Sequence, residues 1–289
     1  MTPALEAPFV PALAGPVLAE NDAFAVHWTQ GLSCQTLAEA LGWAREHTFR
    51  AVGEGTGRPL DLDRFDPHYE HLLLIHKADR RLAGAYRLAP LRRSQGLRHR
   101  YLPTLFCLED VHLEALEGAL ELGRSFVFPT YQRDPAALYL LWKGIGQCIG
   151  FHGAKSLLGP VSVSQDYGPR GQALLAHWLG AGRDQAVLAG RQPLAPEALA
   201  WAEAQLPAGA DQRAVETVLA ALPGAPAKIP VLLRHYLGLG ARALGSKIDG
   251  AFGNALDLLM QVDLSRLRPA VARRYLGCAG EKPPLGRAA

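Results

Sequence analysis

Apolar runs separated by turn residues divide the chain into short strand-like and longer helix-like stretches. Phe24-Ala-Val-His-Trp28 predicts a first strand, and from Cys34 to Phe49 the positions Leu37, Leu41, Ala44 and Thr48 recur at helical spacing, which predicts an amphipathic helix. Gly53 to Pro59 ends it. His71–His76 and Leu82–Leu88, joined by Lys77-Ala-Asp-Arg-Arg81, have the spacing of a hairpin. A helical turn is expected between Glu109 and Ala119, followed by a central strand over Leu122–Phe128 that Pro129 terminates. Ala136, Leu140, Ile145 and Ile149 then mark a helix from Pro135 to Phe151, and Ser156–Val163 returns as a strand, which completes a βαβ unit. Prolines punctuate two alanine-rich helical runs between Gly190 and Lys228, so this stretch reads as an insertion or small helical subdomain. A helix over Val231–Leu244, a strand over Leu256–Val262 and a short helix over Pro269–Leu276 close the pattern. The Ala/Pro-rich stretch from Pro3 to Pro16 reads as an extended arm.

With 289 residues and 49% hydrophobic content, the chain can bury a large core. The expected organisation is an arm over residues 1–22 and one domain over 23–289, with the helical insertion at about 190–228. A net charge of +3 and a pI near 8.7 argue against a dedicated nucleic-acid binder, while a local basic patch could still recruit an acidic partner. Cys34, Cys107, Cys148 and Cys278 are scattered without Cys-x-x-Cys spacing, so neither a metal site nor a disulfide framework is expected. The N-terminal stretch carries Glu6, Glu20 and Asp22 and lacks a basic region followed by a long apolar segment, so no secretory signal is expected. No stretch approaches the roughly 18 uncharged apolar residues of a spanning helix. The expected location is cytoplasmic, with any contact with the inner membrane peripheral.

Candidate chemistry lies where charges adjoin the apolar runs. Glu121-Leu-Gly-Arg124 leads into Ser-Phe-Val-Phe, and Asp63-Arg-Phe65-Asp66 precedes the run at His71. Charges at the mouths of buried strands are costly unless paired, so ion pairing among Asp63, Asp66, Arg87, Glu121 and Arg124 is expected. Spacing alone does not decide whether Glu121 and Arg124 share a face. A purely structural salt-bridge cluster would use the same residues.

The order of these pieces carries more information than any one of them. Trp43-Ala-Arg45-Glu-His-Thr-Phe49, Asp63-Arg-Phe65-Asp66, Gly84-Ala-Tyr-Arg87 and Glu121-Leu-Gly-Arg124 together resemble the pattern of acyl-homoserine lactone synthases. They resemble still more the ornithine-lipid N-acyltransferases and hemolysin-like acyltransferases of the GNAT superfamily. Leu141-Trp-Lys143, Leu158-Gly-Pro160-Val-Ser162-Val-Ser164 and Val231-Leu-Leu-Arg234-His-Tyr236 agree with the second group, so the resemblance covers roughly residues 24–277. It implies an α/β (α+β) fold with a mixed, mainly antiparallel sheet flanked by helices, its central strands splayed into a cleft.

The implied reaction moves a (3-hydroxy)fatty acyl group from a thioester to the α-amine of an amino acid. Such a reaction needs a proton acceptor, a means of holding the amine, and oxyanion stabilisation. By the resemblance Glu121 is the candidate base. Arg124 either holds it charged or binds a donor oxygen. Arg45, Phe49, Asp63, Asp66, Arg87, Phe126 and Ser162 match positions that shape the substrate pocket, with backbone N–H groups near Phe126 facing the oxyanion. A loop-stapling network and ordinary core aromatics remain alternative readings of the same residues. No Gly-x-Ser-x-Gly elbow points to a serine nucleophile.

The resemblance implies no permanently bound cofactor. Coenzyme A-using relatives carry a glycine-rich loop that cradles pyrophosphate at a helix start. Here the matching place reads Tyr131-Gln-Arg133-Asp-Pro-Ala-Ala-Leu, without glycine. That favours acyl carrier protein as the acyl donor over acyl-CoA, and Arg92, Arg93, Arg98, Arg100 and Lys143 are its expected docking residues. Two alternatives stand beside this reading: an acyl-homoserine lactone-type autoinducer synthase, and a non-catalytic acyl-binding protein of the same fold.

Overall fold

A computed structural model describes residues 6–11, 13, 15–32, 34–92, 94, 97–180, 188–207 and 209–276. The hairpin forms from β3 (Glu70–His76) and β4 (Arg81–Pro90). Because side chains alternate along a strand, Leu72 and Leu74 enter one buried cluster while Leu73 and Ile75 enter another. The sheet is therefore covered on both faces. Across one lies α4 (Pro135–His152), whose Leu141 and Ile145 meet Val26, Leu72 and Leu122 in one cluster. The other carries α1 (Gln35–Arg50), with Leu37, Leu41 and Ala44 against Leu73, Ala85 and Phe126. Each fully buried leucine contributes roughly 1.5–3 kcal/mol. Local signals set the ends of α4: Asp134 accepts from the Ala136 N–H at 2.9 Å, Pro135 occupies the first position, and Gly153 takes φ 61° just past the end.

Among the described residues eight strands build the sheet. The others are β1 (Val17–Glu20), β2 (Phe24–Gln30), β5 (Ala119–Val127), β6 (Ser156–Val163), β7 (Arg242–Asp249) and β8 (Ala255–Asp263), in the order β1-β2-β3-β4-β5-β6-β8-β7. Among the described strands only β5 and β6 run parallel, joined by α4 as the βαβ pattern predicts. Two short helices, α2 (Leu102–Leu105) and α3 (Asp110–Ala115), precede β5. Helices α5 (Gly168–Trp178), α6 (Pro196–Gln205), α7 (Gln212–Ala221) and α8 (Val231–Gly238) follow β6, and α9 (Pro269–Leu276) follows β8. The alanine-rich helices α6 and α7 bury Ala198, Ala202, Val215 and Leu219 in the same cluster as Leu174 and Leu175 of α5. Among the described residues no helix is long and apolar enough to cross a membrane.

Two elements differ from the sequence pattern. The helix expected over 231–244 stops at Gly238, and Arg242 already begins β7. Gly240, at φ 79°, turns the chain between them. Val17–Glu20, placed in the arm by composition, is a strand paired antiparallel to β2.

The central strands part. β5 and β6 pair only at Ala119↔Ser156, Leu120↔Leu157 and Glu121↔Leu158. Beyond that point β5 follows β4 to Val127 while β6 follows β8 to Val163. Gly159 sits at the crotch, where an added Cβ would stand 2.2 Å from the Leu122 carbonyl oxygen. Gly159→Ala is accordingly expected to force the strands apart and lower stability by about 1–3 kcal/mol. Thermal unfolding checks this, and an unchanged melting temperature would mean that the fork widens freely.

Candidate active site

The fork opens into a cleft of about 650 Å3. Residues 124–127 of β5 form one wall, and Pro160 and Ser162 of β6 face them. A bulge shapes the first wall. Between the pairs Ala85↔Phe126 and Arg87↔Gly123, Tyr86 alone faces both Arg124 and Ser125, and Arg124 adopts φ 49°. Phe49 meets Phe126 and Phe252 edge-on at centroid distances of 6.3 and 5.2 Å, which gives the cleft an apolar corner.

Behind this corner runs a chain of alternating charges. Asp66 accepts from Arg45 Nη1 at 2.8 Å, from Arg87 Nη1 at 3.2 Å and from its own loop at the Asp63 N–H, 2.9 Å. Arg87 Nη1 also donates to Asp63 at 2.7 Å. Arg124 Nε donates to Asp61 at 3.2 Å, and its Nη2 lies 3.7 Å from Asp63. Arg45 and Arg87 are fully enclosed, a position that charges hold only with partners. Burial works against the Asp66 carboxylate, yet Arg45 and Arg87 hold it well below the usual carboxylate range. Burial and the adjacent Arg45 push His71 down to about 3, so the ring is neutral at physiological pH. Its Nδ1 then accepts from Arg45 Nη2 at 3.3 Å, and its Nε2–H donates to the Asp66 carbonyl at 3.0 Å. The Arg87 guanidinium stacks 4.7 Å over Tyr69, and Tyr101 lies between Arg87, at 5.2 Å, and Arg124, at 5.0 Å.

Of the substrate residues expected from sequence, Phe49, Phe126 and Ser162 line the cleft, as does Arg124 of the expected catalytic pair. Arg45, Asp63, Asp66 and Arg87 do not; they form the layer that fixes Arg124. Glu121 is 2% exposed and also stands outside the lining. Its Oε1 accepts from the Leu102 N–H at 3.0 Å, and the Tyr69 hydroxyl adjoins the carboxylate. Burial raises its pKa against the pull of Tyr69 and Arg87. Tyr69 in turn accepts from the Tyr101 N–H at 2.8 Å, so Glu121 anchors the segment that carries Tyr101 to the cleft. Among the expected docking residues Arg98 is exposed and Arg92 and Lys143 are half-buried. Arg100 is buried, with Nε and Nη2 donating to the Pro90 carbonyl at 3.2 and 2.9 Å. Arg93 lies outside the described residues.

The opposite wall is acidic, and sequence reasoning missed it. Glu54, Asp166, Asp249 and Asp257 all line the cleft. Ser162 donates to Glu54 at 2.6 Å. In the sheet register Asp257 stands between Ser162 on β6 and Lys247 on β7, while Lys247 pairs with Asp249 at 3.3 Å. Burial and the neighbouring Asp249 push Asp257 up to about 7, with Glu54 adding to the rise and Lys247 and Arg124 opposing it. The available signal was a charge in the middle of the apolar run Ala255-Leu-Asp-Leu-Leu-Met260.

Residues 44–143 match the family model for an acetyltransferase (GNAT) domain. Over that span the chain resembles a GNAT domain. The matched span holds the alternating charges, Glu121 and Arg124, and ends before Ser162 and the acidic strands β7 and β8. The glycine N(alpha)-acyltransferase of Bacteroides thetaiotaomicron is 32% identical over 154 residues, which is 48% of this chain and 46% of that protein. The L-ornithine N(alpha)-acyltransferase of Rhodobacter capsulatus is 30% identical over 150 residues, 49% of this chain and 54% of that one. The aligned region thus spans about half the length of these curated relatives. Solved structures similar to the chain include the acyl-homoserine lactone synthase LasI, at 10% identity and a TM-score of 0.44 over 92% of this chain and 97% of that one. The CoA-dependent acyl-homoserine lactone synthase BjaI is 14% identical, with a TM-score of 0.43 over 88% and 90%. A large and mostly antiparallel sheet flanked by helices is the frame in which the cleft sits.

Proposed function

We propose that the protein is an N-acyltransferase that moves a fatty acyl group, of the 3-hydroxyacyl type, from acyl carrier protein to the α-amine of an amino acid of the ornithine or glycine kind. The observation that carries this reading is the fork. Past Glu121 and Leu158 the inner edges of β5 and β6 no longer pair with each other, so backbone groups of the first strand can bond to the amides of a pantetheine arm as an added strand would. Phe49 and Phe126 offer the apolar corner for an acyl chain, and Arg124 brings a guanidinium to the wall where the thioester oxygen gains charge. Glu121 acts as a positioning residue, because one of its carboxylate oxygens accepts from the Leu102 N–H and the residue stands outside the cleft lining. Arg45, Asp63, Asp66 and Arg87 hold Arg124 in place.

The start of α4 supports the choice of donor. A coenzyme A pyrophosphate needs free N–H groups at that helix terminus. Pro135 has no N–H, and the Asp134 carboxylate occupies that of Ala136. An acidic carrier protein instead meets Arg92, Arg98 and Lys143, with Arg100 bracing the loop from within; Arg93, the fourth docking residue of the proposal, lies outside the described residues. The protein works in the cytoplasm, and delivery of a lipid-like product calls for no more than peripheral membrane contact.

The test is to incubate the purified protein with 3-hydroxyacyl carrier protein and a pool of amino acids and to read products by mass spectrometry. An N-acyl amino acid is expected, and Arg124→Ala should lower kcat/KM by about 10²-fold. Product from acyl-CoA alone would overturn the donor assignment, a soluble acyl lactone would make the protein an autoinducer synthase, and silence with both donors would point to a binding role.

A further inference from the structure

One buried carboxylate in the cleft has no bonded partner. Asp257 is 6% exposed and lines the cleft, and its side-chain carboxylate accepts no hydrogen bond from the described residues. Its neighbours are otherwise engaged: Glu54 with Ser162, Asp249 with Lys247, and Arg124 with Asp61. A largely buried carboxylate without a protein donor is unfavourable unless something else supplies one, and the open space beside it belongs to the cleft. A cationic group from a bound molecule meets that need.

We propose that Asp257 receives the acceptor's ammonium and removes its proton, acting as the general base of the acyl transfer. This rests on the acyltransferase reading and extends it by placing the acceptor on the β6–β8 side, opposite Arg124. The Asp257 carboxylate takes one proton from the ammonium. The freed amine attacks the thioester carbonyl, so that a C–N bond forms and the C–S bond breaks. The remaining extra proton on nitrogen leaves with the sulfur as a thiol, and Asp257 releases its own proton to solvent through the cleft.

The groups that set the behaviour of Asp257 are Asp249 and Lys247 from β7, Glu54 from the loop after α1, Arg124 from β5, and Tyr101 ahead of α2. Ser162 faces it from β6, and Asp166 lies beyond, next to Glu54. Burial and the surrounding carboxylates bring Asp257 to about 7, the range in which a base is both ionised and effective at neutral pH.

The experiment compares wild type, Asp257→Asn and Glu54→Gln in kcat/KM for L-ornithine across pH 5 to 9, and titrates L-ornithine into each protein by calorimetry at pH 8. Circular dichroism confirms that each variant is folded. Wild type should lose activity below about pH 7. Asp257→Asn should lose about 10²–10⁴-fold in rate together with that acid limb, and should bind ornithine about tenfold more weakly. Glu54→Gln should shift the limb to lower pH, an effect that a merely structural role would not produce. Wild-type turnover and an unchanged acid limb in Asp257→Asn would overturn the proposal. If wild type turns over no acceptor with any donor, the acyltransferase reading falls by itself, and calorimetry decides the site. Ornithine binding that Asp257→Asn weakens would keep the ammonium site, whereas equal binding, or none in wild type, would overturn it.

Discussion

Arg87→Ala is expected to destabilise the protein by about 3–5 kcal/mol, the size of effect seen when one partner of a buried ion pair is removed. In a chain of this length that lowers the melting temperature on the order of 10 °C. The reason lies in the alternation of charges. The Arg87 guanidinium bridges Asp63 and Asp66 at 2.7 and 3.2 Å and stacks on Tyr69 and Tyr101, so its loss leaves Asp63 leaning on Arg124 and Asp66 on Arg45 alone. Arg87→Lys recovers only part, since an ammonium cannot reproduce the planar stack. The pH dependence has a definite sign. Asp66 is held below its unfolded value near 4, so its contribution is present above that value and is lost as pH falls through the folded one. The gap between wild type and Arg87→Ala should therefore narrow in acid. A gap that stays constant from pH 7 to pH 3 would show that the guanidinium acts through packing and not through Asp66.

Asp257→Asn should do the opposite and stabilise the protein. Burial and Asp249 raise Asp257 from 3.8 to about 7, which means the ionised form is worse off in the folded chain than in the unfolded one. The penalty is complete above about pH 7, shrinks as the group takes up its proton, and is absent below the unfolded value near 4. A tenfold difference in proton affinity between the folded and unfolded chains corresponds to about 1.4 kcal/mol, so an expected gain on the order of 2–4 kcal/mol at pH 8 follows. Thermal melts of both proteins at pH 8 and pH 4 check it. The variant should melt higher at pH 8 and at nearly the same temperature at pH 4; equal melting at pH 8 would mean that the carboxylate is well solvated in the native protein. A residue that lowers stability in the native protein and whose loss removes activity is the pattern expected where a site keeps a strained charge for its chemistry.

Much of the fold was legible because the signals were local. The alternation at His71–His76 and Leu82–Leu88 led to the hairpin, helical spacing at Ala136, Leu140, Ile145 and Ile149 led to α4, and the return at Ser156 led to β6. The two strands that escaped, β1 and β7, are short or glycine-broken, and each depends on a neighbouring strand for its hydrogen bonds. Composition also suggested an arm where Val17–Glu20 in fact extends the sheet.

The candidate site divides along the same line. The sequence by itself determined which charges stand beside which apolar runs, and hence that Asp63, Asp66, Arg87, Glu121 and Arg124 needed partners, because buried charges without them are strongly unfavourable; the structure pairs four of these, brings in Arg45 and Asp61, and sets Glu121 on the Leu102 N–H instead of an arginine. Only the tertiary structure decided which side chains face the cleft. The bulge at Arg124 turned one guanidinium towards the opening, the Leu102 backbone drew Glu121 away from it, and the β6-β8-β7 order carried Asp257 and Asp249 to a loop residue, Glu54, from the far end of the chain. Periodicity is set by neighbours a few residues apart, whereas the meeting of those carboxylates depends on strand order and register, which no local spacing encodes.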